Sequence, residues 1–284
     1  MKEYDGFSTY SIDMVRYQFE VLDNSFVKLQ KWFNDSYKIH IETYGINTGM
    51  FKYKYFYSLN YGDSSVKVGL GFNGINKSDM YKGFIEFNPN KILAIDKNKN
   101  VFKYPEALEE IQYIIRMSVE CRLVRWDLAI DMPIDRGLIQ LVKDNRKYSL
   151  SMHSEIDKTE YLGRRNNNGF VKLYNKTVES KLDYDLTRLE ITCDADRDVV
   201  GIYEMIPKLL YVRYQCEIDF KSLSLSDKDR LLVELLRLHP DYFKKLNYRN
   251  REKFKEYVFG SDERLYFNQN CIRNLLDRVK MFEK

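Results

Sequence analysis

Several features that indicate common classes of protein are missing from this sequence of 284 residues. Its four cysteines lie far apart without a C-x-x-C pair, a spacing that favours neither a disulfide framework nor a zinc site. Its three histidines, His40, His153 and His239, form no His-apolar-His pair. A Walker A sequence is absent, which argues against an ATP-driven helicase. Apolar runs of the roughly 18–20 residues that span a bilayer are absent too.

The N-terminal segment and the charge balance add two expectations. The first ten residues, MKEYDGFSTY, are charged and have no apolar h-region, so we expect a cytoplasmic protein without a membrane partner. The net charge is only +4, so any nucleic-acid contact needs a local positive field. The 23 tyrosines fit half-buried strands or stacking on bases, although low-GC coding would raise their number as well.

Apolar periodicity predicts an α+β fold built from two similar halves. In the first half, helical spacing predicts helices at 24–34 and 105–120, and period-two alternation predicts strands at 14–21, 37–44, 51–61, 66–72 and 81–91. LVRWDLAID (123–131) resembles MVRYQFEV (14–21) and restarts this order. A predicted helix follows it at 137–147, and predicted strands follow at 147–153, 160–165, 169–176 and 187–194. GFVKLYNK (169–176) also echoes GFIEFNPNK (83–91).

We therefore predict duplicated β-α-β-β-type halves that form a largely antiparallel sheet with helices on one face. The α+β domain is expected at 1–204, with pseudo-repeats at 1–104 and 105–204. Residues 205–284 are expected to form a C-terminal helical region. Helical spacing there predicts helices near 226–240, 249–258 and 262–283.

Acidic residues alternate on three of the predicted strands. Asp127 and Asp131 share one face with Ala129 between them, because alternate side chains of a strand point the same way. By the same rule, Glu190 lies on the acidic face of TRLEITCD and Glu86 on that of GFIEFNP. Carboxylate oxygens suit Mg²⁺ or Mn²⁺ rather than zinc. The alternative is an ordinary solvated face that happens to carry acids.

The segment GFVKLYNK carries a candidate nucleophile. Lys172, Tyr174 and Lys176 are predicted to share one face of this strand. Two lysines beside a tyrosine favour the phenolate, which at an ordinary pKa of about 10 is scarce at neutral pH. The alternative is a packing tyrosine between two solvated lysines.

A basic segment, KKLNYRNREKFK (244–255), holds six basic residues against one acid. Lysines would meet phosphates, whereas arginine and asparagine can read base edges and tyrosine can stack. The alternative is a solvated helix surface. The candidate DNA contacts here are Lys245, Asn247, Tyr248, Arg249, Asn250, Arg251, Lys253 and Lys255.

Five segments in order resemble the Rep_trans family of rolling-circle replication initiators, in particular the staphylococcal plasmid type. They cover roughly residues 80 to 260 and read IEFNPNK, VRWDLAID, EYLGRRNNNGFVKLYNKTVE, TRLEI and KLNYRNREKFK. The resemblance implies that Tyr174 is the nucleophile, with Lys172, Lys176 and Arg188 beside it. It implies a Mg²⁺ or Mn²⁺ site at Glu86, Asp127, Asp131 and Glu190. It also implies DNA contacts at Arg164 and Arg165 and in residues 245–255.

The function implied by this resemblance is nicking of one strand at a double-strand origin, where a hairpin or melted segment presents the nick site single-stranded. Tyrosine attack would leave a 5′-phosphotyrosine and a free 3′-hydroxyl as primer. A homodimer is implied, and a host helicase and polymerase would act with it. Two alternatives stay open: a relaxase of a mobilisable or integrative element, and a non-catalytic origin-binding protein of the same fold. Neighbouring genes would separate the first alternative, and an intact Tyr174 argues against the second.

Overall fold

A computed structural model of the protein describes residues 2–35, 39–40, 53, 55–71, 80–96, 98–154, 157–211, 225–259 and 267–284. The strands are β1 (Lys2–Tyr4), β2 (Thr9–Leu22), β3 (Ile39–His40), β4 (Tyr55–Tyr61), β5 (Ser64–Leu70), β6 (Met80–Phe87), β7 (Ile95–Asp96), β8 (Val101–Phe102), β9 (Glu120–Met132), β10 (Ile139–Leu141), β11 (Tyr148–Met152), β12 (Lys158–Leu162), β13 (Val171–Asn175), β14 (Thr187–Asp194) and β15 (Leu209–Tyr211). The helices are α1 (Asp23–Asp35), α2 (Pro89–Ile92), α3 (Pro105–Met117), α4 (Lys176–Ser180), α5 (Val199–Met205), α6 (Asp227–Leu238), α7 (Tyr248–Phe259) and α8 (Gln269–Val279). Short 3-10 turns lie at Arg136–Leu138, Pro240–Lys245 and Lys280–Phe282. Parts of the predicted segments 37–44, 51–61, 66–72 and 262–283 fall outside the described residues.

An 11-stranded sheet dominates the fold and runs in the order β11-β12-β13-β14-β9-β2-β6-β5-β4-β3, with β1 paired to β2. Its strand pairs are antiparallel, as the alternation predicts. The two central strands, β2 and β9, pair along most of their length, and Arg16 lies opposite Arg125 at the middle of the sheet.

The same connectivity occurs on either side of this centre. From β2 the sheet continues outward through β6, β5 and β4, and from β9 it continues through β14, β13 and β12. The resemblance between residues 14–21 and 123–131 thus falls on the two central strands. The echo between GFVKLYNK and GFIEFNPNK is not reproduced by the topology. The first lies on β13, one strand further from the centre, whereas the second lies on β6 next to β2.

One face of the sheet is apolar and packs against α1, α3 and α8. Along β2, every second side chain from Val15 to Val21 is buried, which is the pattern expected of a strand with one covered face. Leu29 of α1, Ile111 of α3 and Leu275 of α8 belong to the same hydrophobic cluster. The opposite face carries charged and aromatic side chains that line two cavities. The α+β class, the antiparallel sheet and the helices on one face are therefore confirmed.

The helix predicted over 137–147 is wrong. After the 3-10 turn at Arg136–Leu138, the chain forms β10, which pairs with β15. Ile139 and Leu141 are both buried, so the apolar residues here follow period two. The helix predicted over 105–120 is confirmed as α3, where Pro105 occupies the first helical turn.

The C-terminal helices belong to two separate hydrophobic clusters. Helix α8 and Phe282 join the main core, and the Tyr17 hydroxyl donates a hydrogen bond to the carbonyl of Val279. Val233 of α6 and Phe254 of α7 form a second, smaller cluster. Residues 205–284 therefore contribute both to the sheet domain and to a separate helical unit. Of the described helices, none is long and apolar enough to cross a membrane.

Candidate active site

The polar face of β13, β14 and β9 brings most of the predicted catalytic side chains together. Tyr174 lies opposite Arg188, and Lys172 lies opposite Glu190, across β13 and β14. Across β14 and β9, Arg188 lies opposite Asp131. Since the side chains of directly paired residues share a face about 5 Å apart, these strands build one continuous polar patch.

Tyr174 is 5% exposed, and its hydroxyl donates a 2.6 Å hydrogen bond to Oε1 of Glu190. The ammonium of Lys172 lies 3.6 Å from the other oxygen of Glu190 and 3.8 Å from the centroid of the Tyr174 ring. Strand β13 ends at Asn175, one residue after Tyr174, because the side chain of Asn175 accepts a hydrogen bond from the Val178 amide and caps α4. The tyrosine therefore sits at the end of a strand with its hydroxyl against a carboxylate.

The expectation of a favoured phenolate is wrong. Burial raises the pKa of the Tyr174 hydroxyl well above its usual value, and the neighbouring charge of Glu190 raises it further. Lys172 lies over the ring rather than at the oxygen, so it does not offset these effects. Burial also raises the pKa of Glu190, against the lowering effect of Lys172. The pair is therefore a neutral phenol hydrogen-bonded to a carboxyl group of increased basicity.

Arg188 is held by two aspartates beside this pair. Its Nε and Nη2 atoms donate to the two oxygens of Asp131 at 2.6 and 2.7 Å, and its Nη1 donates to Asp13 at 3.1 Å. Asp13 is a site residue that the sequence patterns missed. A break in the β2–β9 register between Ile12 and Met14 accompanies its position, and strict alternation does not predict such a bulge.

The four predicted metal ligands do not form one cluster. Glu86 lies on β6, on the far side of β2, where it accepts hydrogen bonds from Nε and Nη2 of Arg16. Both oxygens of Asp131 hold Arg188, and Asp127 lies 3.3 Å from Nη2 of Arg125. Within the described residues, no group of three or more His, Cys, Asp or Glu side chains is arranged to hold a metal ion.

The expectation that Glu86 shares a metal site with the other three carboxylates is therefore wrong, because the strand order separates it from them. Burial raises the pKa of Asp127 and that of Glu190, and the nearby charge of Asp13 adds to the effect on each. The side chains in this arrangement do not constitute a formed site for Mg²⁺ or Mn²⁺. The requirement for such an ion stays a prediction.

Lys176 does not share the strand face of Lys172 and Tyr174, because β13 ends at Asn175 and Lys176 begins α4. Its ammonium pairs with Glu179 and lies 5.8 Å from the centroid of the Tyr174 ring. Its positive charge is thus near the tyrosine but is directed towards another partner.

The predicted DNA contacts in residues 245–255 lie at the end of the 3-10 turn, in the short link before α7 and on α7 itself. Two of them have structural roles: Asn247 accepts a hydrogen bond from the Asn250 amide at the start of α7, and Lys253 pairs with Asp229 at 2.7 Å. Phe254 anchors the helix in the smaller cluster. The remaining side chains include several that are exposed: Lys245, Tyr248, Arg249, Arg251 and Lys255.

Arg164 and Arg165 lie elsewhere, in the loop between β12 and β13. Both are exposed, and both line a cavity of about 750 Å³. Lys172 and Glu190 line the same cavity, so this loop and the Tyr174 site are contiguous. The structure therefore places the predicted DNA contacts on two separate surfaces.

Comparison with known proteins finds relatives among replication initiation proteins. No family model matches the chain, so the resemblance to Rep_trans initiators is not confirmed at that level. The chain is similar to replication initiation proteins of Staphylococcus aureus. One is 27% identical over 183 residues, 61% of this chain and 53% of the relative, and another is 27% identical over 188 residues, 63% and 55%. The chain thus spans about half the length of the curated relatives that it matches.

A solved structure of a rolling-circle replication initiator protein from Geobacillus stearothermophilus is a weaker match. It is 14% identical, with a TM-score of 0.38 over 82% of this chain and 97% of that one. A likeness at this level carries no functional argument.

Proposed function

We propose that this protein is a rolling-circle replication initiator that nicks one strand of its origin with Tyr174. The hydrogen bond from Tyr174 to Glu190, on a polar sheet face that also holds Lys172 and Arg188, is the observation that carries the proposal. The similarity to staphylococcal replication initiation proteins supports the biological role. The activity and partners of the whole protein are part of this proposal, since the chain covers only part of those relatives.

In the proposed reaction, the phenolic oxygen of Tyr174 attacks the phosphorus of one phosphodiester, in line with the departing 3′ oxygen. A phosphorus–oxygen bond to Tyr174 forms while the bond to the 3′ oxygen breaks. Glu190 accepts the phenolic proton, and the 3′ oxygen takes a proton from solvent and leaves as a hydroxyl. One phosphodiester replaces another, so the step needs no ATP and is reversible.

The proposed base is needed because the pKa of Tyr174 is raised and the phenol is neutral at physiological pH. Lys172, within reach of both the ring and Glu190, is placed to stabilise negative charge on the non-bridging phosphate oxygens. Arg188, fixed by Asp131 and Asp13, keeps a positive charge opposite Tyr174 as the phenol loses its proton. Dependence on Mg²⁺ or Mn²⁺ remains a prediction, and no step above depends on the ion.

Origin recognition is assigned in this proposal to α7 and the turn before it, where Arg249 and Arg251 are exposed. Arginine can bind guanine through two hydrogen bonds in the major groove. After nicking, the free 3′-hydroxyl would prime a host polymerase while a host helicase unwinds the strand. Termination requires a second cleavage, so a homodimer in which each subunit supplies one Tyr174 is part of the proposal.

The test is a nicking assay on supercoiled plasmid that carries the gene with its flanking DNA. Wild-type protein should give an open circle with protein linked to the 5′ end, and Tyr174→Phe should give none while it binds the origin as wild type does. Tyr184→Phe is the matched control, because Tyr184 is an exposed tyrosine of the same hairpin, 56% accessible. Nicking by Tyr174→Phe at the wild-type rate would contradict the assignment.

A further inference from the structure

A cavity of about 750 Å³ adjoins the proposed nucleophile on the polar face of the sheet. Lys172 and Glu190 line it, and both also contact Tyr174. A group bound in this cavity would therefore lie one side chain away from the reacting hydroxyl. The volume is within the range of roughly 300–1,000 Å³ that is typical of sites for small organic ligands.

Two nearly parallel aromatic rings line this cavity. Tyr161 of β12 and Phe170, which directly precedes β13, have ring centroids 5.9 Å apart and an angle of 17° between their planes. Both line the cavity and both are only partly buried. The two rings form an aromatic platform on the cavity wall, because the part of each ring that is left open to the cavity can stack on a flat ligand.

The rim of the cavity is cationic. Lys147, Arg164 and Arg165 are exposed and line it. Together with Lys172 they provide positive charge next to the aromatic platform. Aromatic rings combined with a cationic groove are the features that bind unpaired bases and their phosphates in single-stranded DNA.

The loop that forms this rim, residues 163–170, is held in a defined conformation. Gly163 and Gly169 adopt φ of +89° and +73°, which residues with a side chain rarely adopt. Nη1 of Arg146 donates to the carbonyl of Gly169 at 2.7 Å, and the Gly169 amide donates to the carbonyl of Thr192 at 2.8 Å. The Asp194 amide donates to the side chain of Asn168 at 3.1 Å. The platform is therefore preorganised by contacts with β14.

We infer that this cavity binds one unpaired nucleotide next to the scissile phosphodiester, with its base stacked on Tyr161 and Phe170 and its phosphate at the cationic rim. The inference rests on the proposed function and adds a substrate subsite to it. A paired base is already stacked inside its duplex, so the subsite selects a melted or extruded segment of the origin. It thereby explains how a sheet face with a recessed tyrosine receives DNA.

Binding of labelled oligonucleotides tests this subsite without any need for cleavage. The probes are a single strand of about 10 nucleotides and a duplex of the same length, measured by fluorescence anisotropy at one salt concentration. Tyr161→Leu and Phe170→Leu keep apolar volume but remove the ring, and each should weaken single-strand binding roughly 5- to 100-fold. Duplex binding should change less than about twofold, since paired bases cannot stack there.

Three controls accompany these variants. Tyr4→Leu removes an exposed tyrosine on β1 and should leave both affinities unchanged. Tyr161→Phe and Phe170→Tyr retain a ring and should bind single strands as wild type does. Leu variants that fail to fold would also lose binding, so their thermal unfolding is measured as well. If the Leu variants unfold at the wild-type temperature and the ring-preserving variants retain single-strand binding, loss of stacking is the cause.

Unchanged single-strand affinity of both Leu variants would overturn the inference. A loss of duplex affinity as large as the loss of single-strand affinity would overturn it too, because the cavity would then be a general phosphate-binding groove. The covalent nicking assay is scored separately. If wild-type protein forms no adduct but the Leu variants lose single-strand binding, the nicking proposal fails and the subsite stands. If nicking depends on Tyr174 while single-strand affinity is the same with and without the rings of Tyr161 and Phe170, only the proposed subsite is wrong.

Discussion

Glu190→Gln separates proton transfer from DNA binding most directly. The Tyr174 hydroxyl donates to Glu190 at 2.6 Å, and burial raises the pKa of both groups, so the carboxylate is the base at hand. A positioned general base typically contributes about 10²–10⁴ in rate, or roughly 3–5.5 kcal/mol of activation free energy. We expect the first-order cleavage rate under single-turnover conditions to fall by that factor, with origin affinity unchanged.

The pH dependence sharpens this prediction. With wild-type protein, the cleavage rate should fall as the pH falls through the raised pKa of Glu190, because the protonated carboxyl cannot accept the phenolic proton. With Glu190→Gln this acid limb should disappear, and the rate should instead rise with pH as hydroxide removes the proton. Glu179→Gln makes the same change of charge on α4, at a residue that pairs with Lys176, and should retain the wild-type profile.

Stability provides an independent check on the same variant. An acid whose pKa is higher in the folded than in the unfolded state binds more protons when folded, so it lowers stability as the pH rises through that range. Removal of the Glu190 charge should therefore not destabilise the protein at neutral pH. The lost pairing with Lys172 is worth at most about 1 kcal/mol. A wild-type rate and pH profile in Glu190→Gln would refute the assignment of the base.

Three further predictions concern the fold, the DNA contacts and the metal. Glu160→Ala should lower the free energy of unfolding in urea by about 3–5 kcal/mol, because it leaves buried Arg136 without its 2.7 Å partner; a loss below about 1 kcal/mol would contradict this. Arg136 and Lys244 hold the pKa of Glu160 below its usual value against the effect of burial, so stability should fall as the pH falls through that lowered pKa. Arg251→Ala should reduce discrimination between origin and unrelated duplex by roughly 1–3 kcal/mol in competition binding. Lys255→Ala should weaken binding to origin and to unrelated duplex equally, and should lower the slope of log affinity against log salt concentration by about 1. Equal effects of the two substitutions on discrimination would exclude base reading by Arg251. Because the family resemblance implies a divalent ion, EDTA should abolish nicking and preserve the origin complex; nicking at the full rate in EDTA would remove the predicted metal requirement and agree with the metal-free steps proposed for Tyr174 and Glu190.

The polar face of the sheet was predictable to the extent that it depends on strand alternation. Alternation predicts one shared face for Asp127 and Asp131, because side chains of a strand alternate with a period of two whatever the neighbouring strands are. Apolar spacing predicts the wrong element for residues 137–147. The apolar residues of this segment fit helical spacing, but Ile139 and Leu141 are buried in the short strand β10. This strand pairs with β15, which is remote in sequence.

The sequence by itself determined the strand pattern and the resemblance between the two central strands, since these follow from local residue order. The choice of Tyr174 came from the resemblance of the sequence to the initiator family. Only the tertiary structure decided the protonation of that tyrosine, because pKa depends on burial and on Glu190, which belongs to another strand. Strand order likewise separates Glu86 from the other three carboxylates. Asp13 lies at a break in the β2–β9 register, and its carboxylate contacts Arg188. Charges interact through space, so their partners are set by the packed sheet and not by their spacing along the chain.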